Sequence, residues 1–147
     1  MNKQLKKSLK TAASGKKNLF DGQSDSKKDP EKLPFAINFK HVHHDNGQHH
    51  SNWEQEKLLS QVIDKFKHYC DKSLGSLFDE QFKAYHCWPP KSNFIKPKRF
   101  PDCDQKNWAS MHINGRPCVI GYMVENVFYM TWFDKEHEFW LSTIKNT

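Results

Sequence analysis

No two of the four cysteines, Cys70, Cys87, Cys103 and Cys118, stand at CxxC spacing. A chain of 147 residues buries enough surface to be stable without disulfides or metals, so the thiols read as reduced, as in a cytoplasmic protein. Long apolar runs are missing too. The longest, Val119–Phe133, is interrupted by Glu125-Asn126 and is too short to span a bilayer. No apolar stretch of signal-peptide length follows the basic N-terminus, and the absence of Arg from the first twenty residues weighs against a transit peptide. These absences argue against a membrane partner and place the protein in the cytoplasm. A glycine-rich phosphate loop is also lacking, and the glycines of the C-terminal third read as turn or packing residues.

The net charge of +6 is unevenly placed. Residues 1–32 carry nine Lys against Asp21, Asp25, Asp29 and Glu31, which leaves 14 basic and 13 acidic residues, a net +1, for the rest. Basicity therefore belongs mostly to the N-terminal segment, where it adds salt-sensitive affinity for phosphate. That segment has few apolar positions and cannot offset the entropy of ordering. It is expected to be a disordered lysine-rich arm, followed by one domain over residues 33–147.

Trp108–Phe133 organises that domain. Alternation over Trp108–Ile113, the Asn114-Gly115 pair suited to a two-residue turn, and a second reversal at Glu125-Asn126 predict a three-stranded antiparallel meander. Its last strand, Val127–Phe133, is apolar on both faces, as in a covered or central strand. Upstream, Phe35–Val42 alternates as a half-buried strand. Ser51-Asn52-Trp53-Glu54 fits a capping box opening a helix whose stripe is Leu59, Val62, Ile63, Phe66 and Cys70. After Gly75, Ser76–Asp79 resembles a second cap for a shorter helix to about Ala84. The expected fold is α+β: an antiparallel sheet, made of the N-terminal strand and the meander, packed against an αα-hairpin.

Two segments invite chemistry. His41–His50, HVHHDNGQHH, holds five histidines, but zinc ligands are usually pinned on ordered elements with supporting partners, and this tract has the composition of a loop. It is read as solvated, with no metal and no cofactor. Tyr85–Lys106 is broken by four prolines and interleaves aromatic and basic side chains. So long a connection either serves function or covers the sheet. In the functional reading Lys96, Lys98 and Arg99 engage RNA phosphates and Trp88 stacks on a base.

The ribonuclease resemblance described below would require metal-free RNA cleavage, which needs a base for the 2′-hydroxyl, cations for the phosphorane oxygens and an acid for the leaving 5′-oxygen, roles suited to histidine and arginine. Arg116 opens the middle strand and His137 follows the last, and antiparallel order returns both to one sheet end. His86, placed just after the second helix, completes the expected set of catalytic residues: His86, Arg116, His137. A Cys/His nucleophile pair would need Cys87 or Cys103 beside His86 and a third orienting group, which no spacing supplies.

The order strand, two helices, three antiparallel strands resembles that of the RelE-like toxins, small bacterial ribonucleases. Within it, Arg116–Tyr122 followed by Val127-Phe128-Tyr129 looks like that family's last two sheet strands, where an arginine lies near the cleaved phosphate. The resemblance implies a messenger-RNA endonuclease acting without metal, often on the ribosome, with RNA or the ribosome and an antitoxin protein as partners. The alternative is a non-enzymatic module of a phage, mobile element or toxin–antitoxin system, binding protein or nucleic acid with the same loop.

Overall fold

Side chains along Asn107–His112 (β3), Cys118–Val124 (β4) and Val127–Asp134 (β5) are buried at most positions, on both faces, so these strands need cover on both faces. The computed structural model, which describes Asp29 and residues 32–141, supplies it. The expected arm at residues 1–32 lies almost wholly outside the described residues. Two short strands, Ala36–Asn38 (β1) and Phe82–Ala84 (β2), complete a five-stranded sheet in the order β1-β5-β4-β3-β2.

The helices are His50–Gln55 (α1) and Leu58–Cys70 (α2), and with the sheet they make an α+β fold. On their side Phe35, Trp53, Val62, Phe66, Tyr69, Leu77 and Phe82 meet Ala109, Met111, Val119, Phe128, Met130 and Phe133. The opposite face carries a second core, in which Trp88, Phe94, Phe100 and Cys103 lie on Trp108, Ile120, Tyr122 and Trp132. The proline-rich segment thus covers a face of the sheet, and its aromatics are structural.

One irregularity lets β5 serve both cores. Ile120 pairs with Trp132 but Gly121 pairs with Met130, leaving Thr131 as an extra residue in a bulge. Phe128 and Met130 face the helices; past the bulge the phase flips, and Phe133 takes that side while Trp132 joins the aromatic layer. Gly121 is required there, because a Cβ would run into Tyr129 O and the Phe128 ring.

Several expectations are corrected. The sheet is mixed: β1 runs parallel to β5, pairing Ala36 with Val127 and Asn38 with Tyr129. The helices and β2–β4 intervene between the two strands, a connection long enough to permit parallel pairing. β1 is also shorter than Phe35–Val42, because Asn38 Oδ1 takes the Lys40 N–H and Val42 N bonds Phe39 O, turning the chain.

The αα-hairpin is replaced by two consecutive helices that break at Lys57, held at φ 60°. The first is capped by His49, whose ring accepts the Ser51 N–H, so Ser51 is not the cap. Ile63 is 61% exposed, and the buried face of α2 is Val62, Phe66 and Tyr69. The helix expected over Ser76–Ala84 is a single 3₁₀ turn at Leu74–Ser76 followed by β2. Asp79 Oδ1 accepts the Gln81 and Phe82 N–H groups at 2.8 and 2.9 Å, a turn that launches a strand, and β2 then pairs antiparallel with the free edge of β3. Nor do Phe139 and Trp140 form an edge strand. Phe139 is buried in the aromatic layer, and Trp140 stacks on Tyr85 at 4.0 Å.

Candidate functional site

Both sheet faces are covered, so polar groups gather where strands end. β3 ends and β4 begins at the paired residues His112 and Cys118, and Cys118 pairs with Asp134 at the end of β5. The connecting loop is longer than a two-residue turn: Ile113 N bonds Pro117 O, so Asn114, Gly115 and Arg116 all lie in it. Gly115 sits at φ +74°, the left-handed conformation that glycine adopts without strain. Arg116 therefore projects from the loop instead of opening the strand.

The chain after β5 is folded by Asp134, whose buried carboxylate accepts the Glu138 and Phe139 N–H groups at 2.8 and 3.0 Å. Burial pushes the Asp134 carboxyl up, against the pull of those two N–H groups. The turn sets His137 at φ 58°, a conformation unfavourable for a residue with a Cβ, with its ring 5.1 Å from that of His112. Arg116 Nε donates to Glu136 O at 3.1 Å, and its Nη1 lies 3.3 Å from Glu136 Oε2. Arg116 and His137 line one open cavity of about 400 Å³, together with Asn93, Glu136, Glu138 and Leu141.

The structure thus brings Arg116 and His137 together and adds His112, which the sequence reading missed. His112 Nδ1 is 2.8 Å from Gly115 O and 3.4 Å from Cys118 Sγ. Burial, then the nearby Asp134, pushes the Cys118 thiol far above its ordinary range, which makes it a poor nucleophile as a free thiol. The signal for both residues was the hairpin itself: once the turn is centred on Asn114–Arg116, its flanks His112 and Cys118 must face each other.

Other predicted site residues lie elsewhere. His86 is at the opposite sheet end, lining a cavity of about 90 Å³ with Ala84, Asn107, Met123 and Glu125. The reason is the corrected element: β2 runs antiparallel to β3 and ends where β3 begins. Trp88 is only 9% exposed and meets Trp108, Trp132 and Phe139 edge-on at 5.4, 6.0 and 5.2 Å, which leaves no face for a base. Lys96 pairs with Asp104 at 2.5 Å. Arg99 pairs with Asp45 and covers the Phe100 ring, while Lys98 is exposed.

Two groups among the described residues converge closely enough to hold a metal ion: His112, Cys118 and His137, and the exposed His44, His49 and His50; within each, the ligand atoms lie within 4.8 Å of one another. No helix among these residues is long and apolar enough to cross a membrane. Compared with protein-family models, with curated proteins and with solved structures, the chain matches none.

Proposed function

We propose that the protein is a cytoplasmic RNA endonuclease that binds a phosphodiester in the Arg116–His137 cavity and cleaves it without metal. The observation that supports this best is the shared cavity: a guanidinium and an imidazole reach one space, with a second imidazole, that of His112, against the first. One histidine takes the proton of the 2′-hydroxyl as that oxygen attacks phosphorus, and the other protonates the departing 5′-oxygen. The products are a 2′,3′-cyclic phosphate and a 5′-hydroxyl. Arg116 stabilises the charge that grows on the non-bridging oxygens, exchanging its exposed partner Glu136 for the phosphate. His112 takes the role expected of His86. Following the toxin resemblance, the substrate is messenger RNA, free or on the ribosome, and the partner an antitoxin protein that covers the cavity.

Arg116→Ala should lower the cleavage rate on the order of 10²-fold or more, and His137→Ala and His112→Ala should each abolish the cyclic-phosphate product, with a chelator leaving the wild-type rate unchanged. A chelator-sensitive rate that persists in His44→Ala/His50→Ala would recast His112, Cys118 and His137 as metal ligands. A second reading, a non-enzymatic binding module, is favoured by the pairing of Arg116 and Lys96 with Glu136 and Asp104. Wild-type protein that binds RNA or a protein but leaves RNA intact would establish it.

A further inference from the structure

The histidine tract is an ordered element. Asn46 is buried, and its side chain bonds the Ile95 backbone in both directions at 2.8 Å. Gly47 lies at φ +66° with its Cα against the Phe133 backbone, where a Cβ would clash with the carbonyl. Gln48 N bonds Phe133 O at 2.9 Å, and Gln48 Oε1 accepts from Trp53 Nε1 and Lys135 N. The Asp45 carboxylate accepts from Trp132 Nε1 at 2.6 Å and pairs with Arg99. These bonds fix the chain on both sides of the turn, so His44 comes back onto His49 and His50.

The three rings are in mutual contact, with centroids 4.0 Å apart for His44–His49 and His49–His50 and 5.4 Å for His44–His50, all exposed to solvent. The backbone that carries these rings is therefore pinned, unlike the solvated loop expected from its composition. From this convergence we propose that His44, His49 and His50 bind a divalent ion of the zinc class, with water at the fourth position. Imidazole nitrogen is a borderline ligand suited to zinc, nickel or copper and poorly suited to magnesium or calcium. The neighbouring carboxylate, Asp45, is engaged by Trp132 and Arg99 and does not contribute.

Ser51 supplies the outer support. The His49 ring accepts the Ser51 N–H through Nδ1 at 3.1 Å, and the same nitrogen lies 2.8 Å from Ser51 Oγ. When Nε2 takes the metal, the ring proton moves to Nδ1 and donates to Ser51 Oγ, the arrangement that commonly orients metal-binding histidines. The helix-end N–H released in the exchange is exposed and turns to water.

The test is titration of the metal-stripped full chain with zinc chloride by calorimetry, and with cobalt chloride by absorbance. One ion per chain is expected at this site, with affinity lowered at least tenfold in His44→Ala and His50→Ala, about tenfold in Ser51→Ala, and unchanged in the control His68→Ala, a variant of an exposed histidine on α2. Far-ultraviolet circular dichroism confirms that each variant is folded. Affinity and stoichiometry unchanged in a folded His44→Ala/His50→Ala double variant would overturn the proposal. So would a cobalt complex whose thiolate charge-transfer band disappears in Cys118→Ser while His44→Ala has no effect, since the ion would then sit between His112, Cys118 and His137.

Discussion

Replacing Trp88 with alanine separates the two roles open to the proline-rich segment. If its indole stacked on RNA bases, the variant would keep its stability and lose affinity. The structure places the ring in a nest of edge-to-face contacts with Trp108, Trp132 and Phe139 at 5.2 to 6.0 Å, with 9% of the residue exposed. Truncating a buried tryptophan typically costs about 3–5 kcal/mol, from lost transfer free energy and the cavity left behind. A domain of this size loses about 3–5 °C of melting temperature per kcal/mol, so a fall of roughly 10–25 °C is expected. Against a domain stability of about 5–15 kcal/mol that loss is large, so the folded fraction is read from the variant's own denaturation curve. Its near-ultraviolet circular dichroism should also change, because Trp108 and Trp132, stacked at 5.3 Å and 16°, lose a common neighbour. RNA affinity per folded molecule should match wild type, and Trp88→Phe should recover much of the stability. A melting temperature within about 3 °C of wild type, with RNA affinity down tenfold, would refute this account of the aromatic layer.

Three further outcomes are expected. Gly121→Ala should lower the urea midpoint, costing at least about 1–3 kcal/mol from overpacking as a Cβ meets Tyr129 O and the Phe128 ring; an unchanged midpoint would remove the bulge as a constraint. Burial raises the Asp79 carboxyl, but bonds from the Gln81 N–H, the Tyr69 hydroxyl and the Phe82 N–H outweigh it and hold the group below its ordinary 3.8. A depressed carboxyl contributes stability that is present above the unfolded value and lost as pH falls through the folded one, so below about pH 4 Asp79→Asn should flatten the acid limb of a stability–pH curve, and parallel curves would contradict it. Glu136→Gln should leave stability within about 0.5 kcal/mol, since the Arg116–Glu136 pair is largely exposed, yet should strengthen RNA binding several-fold by freeing the guanidinium; weaker binding would show that Glu136 positions Arg116.

The meander was legible because its strands and reversals are written locally: period-two alternation, a glycine at a turn, and polar residues between apolar runs. What failed depended on partners far along the chain. Gln81–Ala84 has no strong local preference, and it becomes a strand because β3 presents an unpaired edge and Asp79 can close a turn onto Gln81 and Phe82. The parallel setting of β1 likewise depends on β5, almost ninety residues away, and on the tract that follows it, where His43 N and Gln48 N bond Thr131 O and Phe133 O. The bulge at Thr131 was hidden for a related reason. It goes with the close approach of Gly121 to Tyr129 and Phe128, a property of packing between strands.

The same distinction explains the site. Arg116 and His137 were placed at one end by antiparallel geometry alone, whereas the position of His86 hung on a helix that is in fact β2. Covering decides what remains for function. The helices seal one face of the sheet, and the Tyr85–Lys106 segment with Phe139 seals the other, which leaves strand ends as the places where a ligand can reach polar groups carried by the sheet. Of the two ends, the one near Asn107 and Glu125 offers His86 beside a cavity of about 90 Å³ and, separately, a cavity of about 280 Å³ lined by Asp102, Lys106 and Glu125, which holds no histidine. The other offers His112, Arg116 and His137, a buried carboxylate at Asp134 that holds the turn presenting His137, and an open cavity large enough for a phosphodiester. The closely packed aromatic interior holds the strand ends from which His112 and the Asp134 turn emerge. Arg116 itself is held by Glu136 on an exposed loop, so in the proposed reaction it is the group that would re-aim, from Glu136 to the phosphate, between imidazoles set by the strand ends.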